Sequence, residues 1–274
     1  MDEMSAWPLR PIGIVRSGAR ERKQMPPLGM PAAVEVFPEY LPGLLHLEKH
    51  SHIWVLAWLD GAERDLLQVV PRGVRPEEPG SLHGVFAVRS PARPNPIGLT
   101  ATRVLSIRGP RIEVARLDFI DGTPVVDLKP YFASRDLIFA AANTQIGRPA
   151  SRENLRESLV EQAVNFHGEL CADLALAVRV FEHFRWEVLG MKDPPLWKVA
   201  APWKRGCLLD ALMGMTRASP GRGNLCLVRG PRIRFDHETG IYHYLLASDP
   251  PRDAAATLAA QDHELFTLRA IRRI

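Results

Sequence analysis

The sequence has few cysteines and no long apolar run, and both shortages exclude classes of protein. Among its 274 residues are only three cysteines, an odd number that argues against a disulfide framework. No run approaches the roughly 18 apolar residues that a membrane-spanning helix needs. The first residues, MDEMSAWPLRP, include acids and lack the apolar core of a secretory signal. We therefore expect a cytoplasmic protein with no membrane partner.

The sequence also has little excess charge and no glycine loop of the dinucleotide-binding type. Its 35 basic and 31 acidic residues give a net charge of +4, which is too small to indicate nucleic-acid binding by itself. No GxGxxG follows a strand pattern in the first half, so a Rossmann-type nucleotide site is not indicated there. The length suits two domains of ordinary size.

The first half of the chain has the pattern of short β-strands separated by turns. Runs rich in Val, Ile, Phe and Trp alternate with Pro/Gly turns such as RPEEPG and DGTP. This spacing predicts a β-barrel or sandwich rather than a βαβ sheet. One helix is expected at 41–50. Strands are expected at 12–16, 33–37, 52–58, 84–89, 100–107 and 112–119, with a further strand after the DGTP turn.

The second half combines helix patterns with strand patterns. Ser151 and Glu153 precede apolar residues at helical spacing, which is typical of a helix start. Further helices are expected at 166–184 and 207–216, and strands at 226–228, 233–235 and 242–246. We therefore predict a mostly-β barrel domain at 1–145 and an α+β domain at 152–274, joined by a linker near 140–152.

Two stretches of the first half carry side chains suited to ligand binding. In GVFAVRSPARPNP (84–96), a predicted strand ending at Arg89 leads into a loop that prolines stiffen. Arg89, Arg93 and Asn95 on such a loop could bind a carboxylate or phosphate. A structural loop with surface arginines explains the pattern about equally well.

The second stretch is LDFIDGTPVVDLKPY (117–131), a turn followed by a strand. Because side chains alternate along a strand, Asp127, Lys129 and Tyr131 are expected on one face. Such a row could supply a general base and charged anchors. Taken alone, it is better explained by a surface ion pair and a half-buried tyrosine.

Together the two stretches resemble the signature of the TrmO/YaeB (TsaA-like) family, GVFATRSPxRPNPIG followed by LDxxDGTPVxDIKPY. The segments PIGIVRS (11–17) and LEKHSHIWVL (47–56) resemble two further elements of that family, and all four occur in family order. The resemblance implies a β-barrel domain that binds S-adenosylmethionine and forms a homodimer. It also implies methylation of N6 of N6-threonylcarbamoyladenosine in tRNA.

The resemblance implies roles for individual residues as well. Asp127, Lys129 and Tyr131 are the implied catalytic residues, which orient the substrate or move its proton. Arg93 and Asn95 are implied to bind substrate, and the loop at 24–29 to close over the cofactor. Cofactor contacts are implied for Ser51, His52, Arg89, Leu99, Asp121, Gly122, Thr123 and Pro124.

Two departures from the family pattern leave other functions open. Val88 stands where the family usually has Thr, and His50 stands where it has Phe. One alternative is a methyltransferase that acts on a small molecule or metal-linked metabolite presented by the second domain. Another is a sensor of S-adenosylmethionine or metal without enzymatic activity.

The second domain resembles a different family. NFHGELCADLALAVR (165–179) is similar to the FHGHLCPGLALGxR motif of FmdE-like proteins, and CLLDALMGMTRASPGRGNL (207–225) is similar to their second motif. His167 and Cys171 would share one face if the segment is helical, and Cys207 or Glu169 would be a third metal ligand. Since a His and a Cys of the family pattern are replaced here, both bound zinc and a structural remnant stay open.

Overall fold

The computed structural model of the chain describes residues 8–272 and consists of two compact units. The barrel unit is Met1–Ile138 and the α+β unit is Phe139–Ile274. The predicted first domain extended to residue 145, whereas residues 139–145 group with the second unit here. The first seven residues, on which our argument against a secretory signal partly rests, lie outside the described residues.

Six strands of the barrel unit close into an antiparallel barrel in the order β1–β2–β7–β6–β3–β8, which confirms the predicted barrel. A two-stranded ribbon of β4 and β5 accompanies the barrel, and one short helix, α1 (Ala133–Asp136), follows it. The strands are β1 (Gly13–Ser17), β2 (Met30–Val36), β3 (His52–Trp58), β4 (Gln68–Val69), β5 (His83–Gly84), β6 (Ile97–Arg108), β7 (Arg111–Leu117) and β8 (Pro124–Pro130).

Alternation of side chains along the strands builds the barrel core. In β3, Ile53, Val55 and Ala57 are fully buried inside the barrel, while the residues between them point outward. Burial of such aliphatic side chains stabilises the barrel by about 1.5–3 kcal/mol for each large one. The predicted limits of this strand, 52–58, agree with the structure.

Two predicted elements of the barrel unit are wrong. The expected strand at 84–89 is limited to His83–Gly84, because Arg93 donates hydrogen bonds to the carbonyls of Val85 and Val88 that a neighbouring strand would otherwise use. The expected helix at 41–50 is two short 3₁₀ turns, Pro38–Leu44 and Leu47–Lys49. His46 separates these turns with φ of 69°, in the left-handed region, which an α-helix cannot accommodate.

Within residues 139–272, the α+β unit combines five α-helices with a five-stranded sheet, which confirms the predicted α+β class. Its resemblance to FmdE-like proteins stays a prediction. The sheet order is β10–β9–β11–β12–β13, in which β9 and β10 are parallel and the other pairs antiparallel. The strands are β9 (Lys198–Pro202), β10 (Leu225–Val228), β11 (Arg232–His237), β12 (Gly240–Leu246) and β13 (Phe266–Arg272). The helices are α2 (Arg152–His167), α3 (Ala172–His183), α4 (Gly206–Thr216), α5 (Ala254–Ala259) and α6 (Asp262–Leu265).

The predicted continuous helix at 166–184 is also wrong, because the chain breaks between α2 and α3. Gly168 ends α2 with φ of 102°, and its N–H donates to the carbonyl of Val164 at 2.7 Å. Glycine reaches this conformation without the steric cost of a side chain. At its other end α3 continues into a π-helical turn, Phe184–Val188. Within residues 8–272, no helix is long and apolar enough to cross a bilayer.

Candidate functional site

Both ligand-binding stretches predicted from the sequence line one cavity of the barrel unit, with a volume of about 950 Å³. The loop after β5 contributes Arg89 and Arg93, β6 contributes Leu99, and the turn before β8 contributes all four residues of Asp121–Pro124. Residues of the loop at 24–29 line it too. The structure thus brings together segments that are about thirty positions apart in the sequence.

Apolar side chains form one wall of the cavity. Leu56 and Trp58 come from the outer face of β3, Leu99 from β6, and Phe119 from the segment that follows β7. Gly98 is required beside this wall, because a Cβ at that position would lie 2.4 Å from Cε1 of Phe119. A wall of this kind suits the flat face of a nucleobase.

Charged groups of both signs also line the cavity. The acidic ones are Asp60, Asp118 and Asp121, and Arg89 is among the basic ones. Asp118 accepts a hydrogen bond of 2.5 Å from the hydroxyl of Thr100, which fixes its carboxylate. The cavity therefore offers partners for a ligand that carries a carboxylate and positive groups together.

Arg93, predicted to bind substrate, holds the loop that it belongs to. Its guanidinium donates to the carbonyls of Ser90 at 2.8 Å, Val85 at 2.9 Å and Val88 at 2.6 Å. A guanidinium has five N–H donors, so these bonds use much of its capacity. Because Arg93 orders the loop, it positions Arg89 against the cavity.

Hydrogen bonds tie the second ligand loop, Asp121–Pro124, to the start of the barrel. Asp121 accepts from the N–H of Ser17 at 3.1 Å through Oδ1, and the N–H of Gly122 donates to the carbonyl of Val15 at 2.8 Å. Gly122 has φ of 79°, a conformation that favours glycine in a turn. The turn is therefore preorganised for a ligand.

The predicted row of Asp127 and Lys129 lies on the outer face of β8. Lys129 Nζ is 2.7 Å from Asp127 Oδ2, and both side chains are partly exposed. The register of β3 and β8 shifts by one residue at Val126, which forms a bulge. Without the bulge, strict alternation from the buried Val125 would turn Asp127 inward. Bulges commonly redirect side chains in this way.

The remaining predicted residues do not line the cavity. Ser51, His52 and Tyr131 lie at the opposite end of β3 from Trp58, about 20 Å along the strand. Ser51 Oγ is 2.9 Å from Nδ1 of His52, and burial together with the charge of Arg103 lowers the pKa of His52. The rings of Tyr131 and His52 are 6.3 Å apart.

Sequence reasoning also missed several cavity residues. Asn95, which it predicted, is exposed and does not line the cavity, whereas Trp58, Asp118 and Phe119, which it did not predict, do. Trp58 ends a predicted strand, and that strand pattern is the signal in the sequence that includes it. Only the barrel closure shows that the end of β3 faces the same space as the segment that follows β7.

The α+β unit contains a second cluster, formed by His167, Cys171 and Cys207. Their ligand atoms all lie within 4.8 Å of one another. The segment is not one continuous helix, so the condition under which His167 and Cys171 would share a helical face is not met; the break at Gly168 separates them. Glu169, the alternative third ligand, is exposed and is not part of the cluster.

Comparison with known proteins decides the family. The profile of the tRNA-methyltransferase O N-terminal domain matches residues 14–137. A probable S-adenosyl-L-methionine-binding protein of Methanothermobacter thermautotrophicus is 45% identical over 132 residues, which cover 47% of this chain and 92% of that protein. This chain belongs to the tRNA-methyltransferase O family.

Two further relatives show how much of a related protein this tRNA-methyltransferase O family member covers, and for which activity a relative is named. A probable S-adenosyl-L-methionine-binding protein of Archaeoglobus fulgidus is 36% identical over 228 residues, which cover 79% of this chain and only 60% of that protein. The mouse tRNA (adenine(37)-N6)-methyltransferase is 41% identical over 101 residues, 36% of this chain and 22% of that protein. The predicted class, a family of S-adenosylmethionine-dependent methyltransferases, is confirmed.

Proposed function

We propose that this protein transfers the methyl group of S-adenosylmethionine to N6 of N6-threonylcarbamoyladenosine in tRNA, and that it acts in the cytoplasm, where tRNA is found. The observation that carries the proposal is the single cavity that both ligand loops line. The name of the mouse relative, a tRNA adenine N6-methyltransferase, supports the choice of acceptor. Family membership supports the choice of donor.

The residues around the cavity fit the donor. Its volume of about 950 Å³ is at the upper end of the range common for small-molecule sites. When bound, S-adenosylmethionine supplies a methyl group on a positively charged sulfur. Trp58 and Phe119 offer apolar surface for its adenine, Arg89 offers a partner for its carboxylate, and Asp118 offers a partner for its positive groups.

Asp127 is the residue that we assign to proton transfer. The acceptor N–H is urea-like, and it loses a proton to a base as the nitrogen gains the methyl group. Lys129 Nζ, at 2.7 Å from Asp127 Oδ2, orients the Asp127 carboxylate. Asp127 pairs with Leu56, whose side chain lines the cavity, so the carboxylate borders the space where an acceptor would enter. Because the transfer is an in-line displacement, alignment supplies much of the rate.

We further propose that the protein works as a homodimer, joined through the outer surface around Trp54 and Tyr131, toward the end of β3 away from Trp58 and the cavity. Trp54 and Tyr131 pack together there, with ring centroids 5.6 Å apart, on the side of the strands that faces away from the core. In a dimer, Ser51 and His52 of one copy could serve the cavity of the other, which would account for their implied cofactor role. Sedimentation of the Trp54→Glu variant tests this, since a monomer is the expected result.

A transfer assay tests the function directly. The protein is incubated with methyl-labelled S-adenosylmethionine and either tRNA that bears threonylcarbamoyladenosine or the same tRNA without the threonylcarbamoyl group. Label in the modified tRNA alone is the expected result. Label in neither tRNA, from protein that binds the donor, would overturn the acceptor and favour the small-molecule or sensor alternatives.

A further inference from the structure

We propose that the α+β unit binds one zinc ion through His167, Cys171 and Cys207, and that the fourth coordination position of this ion is open. The proposal is independent of methyl transfer in the barrel unit. It rests on the placement of the three ligand atoms, on the carboxylate that orients the histidine, and on the absence of a fourth ligand among the described residues.

Three helix ends bring the ligands together. His167 is the last residue of α2, Cys171 immediately precedes α3, and Cys207 lies in the first turn of α4. The left-handed Gly168 turns the chain sharply after α2, so that Cys171 returns toward His167 within four residues. Ligands on the ends of packed helices are held more precisely than ligands on long loops.

Close packing of α2 against α4 fixes the third ligand. Gly214 of α4 faces α2, and a Cβ there would lie 2.8 Å from Cβ of Phe166 and 2.9 Å from the carbonyl oxygen of Gln162. The absence of a side chain therefore allows the two helices to approach closely. An ion pair between Arg205 and Asp173 joins the starts of α3 and α4 on the cysteine side.

The separations suit a tetrahedral ion. Sγ of Cys171 lies 3.9 Å from Nε2 of His167, and all three ligand atoms lie within 4.8 Å of one another. With zinc–sulfur and zinc–nitrogen bonds of about 2.3 and 2.0–2.1 Å, neighbouring ligand atoms stand roughly 3.5–3.8 Å apart. Small side-chain rotations would bring all three to bonding distance.

Asp210 prepares His167 for a metal. Nδ1 of His167 donates to Oδ2 of Asp210 at 3.0 Å, which leaves the lone pair of Nε2 directed at the side where Cys171 lies. A histidine ligand commonly donates its second N–H to a carboxylate in this manner, and the contact fixes both tautomer and ring orientation. If His167 served only packing, it would need neither a hydrogen bond to a carboxylate nor a position beside two thiols.

The ligand types select zinc and leave one position free. Two cysteines with one histidine favour a soft or borderline ion over Mg²⁺ or Ca²⁺, which prefer oxygen. Among residues 8–272, no fourth His, Cys, Asp or Glu joins the cluster. Three protein ligands with an open place are typical of zinc that binds water or substrate, whereas closed sites have four. The open position suits water or a small thiolate.

Metal content and cobalt spectroscopy test the proposal on the full-length chain without a histidine tag. Zinc is measured by mass spectrometry, removed with a chelator and replaced by Co²⁺. His167→Ala, Cys171→Ala and Cys207→Ala each remove a ligand. Cys226→Ala is the matched control, because this exposed cysteine lies outside the cluster. Circular dichroism establishes that each variant is folded.

The expected result is one zinc per chain in the wild type and in Cys226→Ala, with at least a tenfold loss of affinity in each ligand variant. The cobalt form should show sulfur-to-metal charge transfer, and its visible bands should change when a small thiol is added. Asp210→Asn, a positioning change, should weaken binding by about 10–100-fold and keep the stoichiometry. Equal metal content in all folded variants would overturn the site. So would a wild-type protein in which Cys171 and Cys207 form a disulfide and which binds no metal after that disulfide is reduced. Cobalt bands that do not respond to a thiol would overturn the open position.

Discussion

Asp127 stands opposite Leu56 in the paired strands β8 and β3, and Leu56 lines the cavity of the barrel unit. The bulge at Val126 turns the carboxylate outward, where Lys129 pairs with it at 2.7 Å. Asp127 is therefore the cross-strand neighbour of a cavity-lining residue, although it does not itself line the cavity. A residue in this position is suited to act on an acceptor that approaches the bound donor.

Replacing Asp127 with Ala should abolish turnover and leave donor affinity within a few-fold of the wild type. Loss of a general base reduces a rate by about 10²–10⁴-fold, whereas the donor contacts lie on other segments. Single-turnover assays and calorimetry measure the two effects separately. Glu113→Gln is the matched control, because Glu113 is a similarly exposed carboxylate on the same barrel, paired with Arg111 at 2.6 Å. Equal loss of binding and turnover would make Asp127 a donor-binding or folding residue.

Glu182 should be far more important to stability than Glu187, although both contact Arg152. Glu182 is fully buried, pairs with Arg152, and accepts from Arg156 at 2.6 Å, whereas Glu187 is half exposed. Removal of a buried partner leaves charged groups uncompensated and costs about 3–5 kcal/mol. An exposed pair contributes about 0–1 kcal/mol. Urea unfolding of Glu182→Ala and Glu187→Ala measures both, and similar losses would contradict the account.

The α+β unit should lose stability as the pH falls below about 6.5, in part through His183. Burial lowers the pKa of His183, whose ring contacts the hydroxyl of the buried Tyr244 at 2.9 Å. Because the unfolded chain takes up a proton near the ordinary value of 6.5 and the folded one does not, stability is complete above that pH and declines below it. The shift of His243 has the same sign.

The His183→Gln variant should show a flatter dependence of the unfolding free energy on pH between about 7 and 5. His263→Gln is the control, because His263 is an exposed histidine of the same unit. Denaturant unfolding at several pH values provides the measurement. A slope unchanged in His183→Gln, or reduced equally in the control, would exclude His183 as the source.

A strand could be predicted from the sequence where buried and exposed side chains alternate along it, and could not where they do not. β3 was predicted with its exact limits, because Ile53, Val55 and Ala57 alternate with outward residues. β13 (Phe266–Arg272) was missed, because only Phe266 of its residues is buried and the alternation that marks a strand is absent. The strand expected at 84–89 failed because one side chain, Arg93, takes its backbone partners.

The candidate sites show a similar division. Local motifs indicated Arg89 and the Asp121–Pro124 turn, but only the closed barrel shows that they share a cavity with Trp58 and Asp118. Such proximity depends on pairing between distant strands, which no local pattern encodes. The histidine and cysteines of the α+β unit were also indicated, although a helix break rather than a helix face brings His167 and Cys171 together.

The most direct test of the central claim, that the two ligand loops bind one donor molecule between them, is calorimetric titration of S-adenosylmethionine into three proteins. These are the wild type, Leu99→Trp, which fills the cavity, and Leu45→Trp, which changes an exposed leucine of the same unit outside the cavity. We predict that one donor molecule binds each wild-type chain. Leu99→Trp should bind the donor at least tenfold more weakly, which corresponds to a loss of about 1.4 kcal/mol or more of binding free energy. Leu45→Trp should bind it as the wild type does. No binding to the wild type, or equal affinity in all three proteins, would contradict the account.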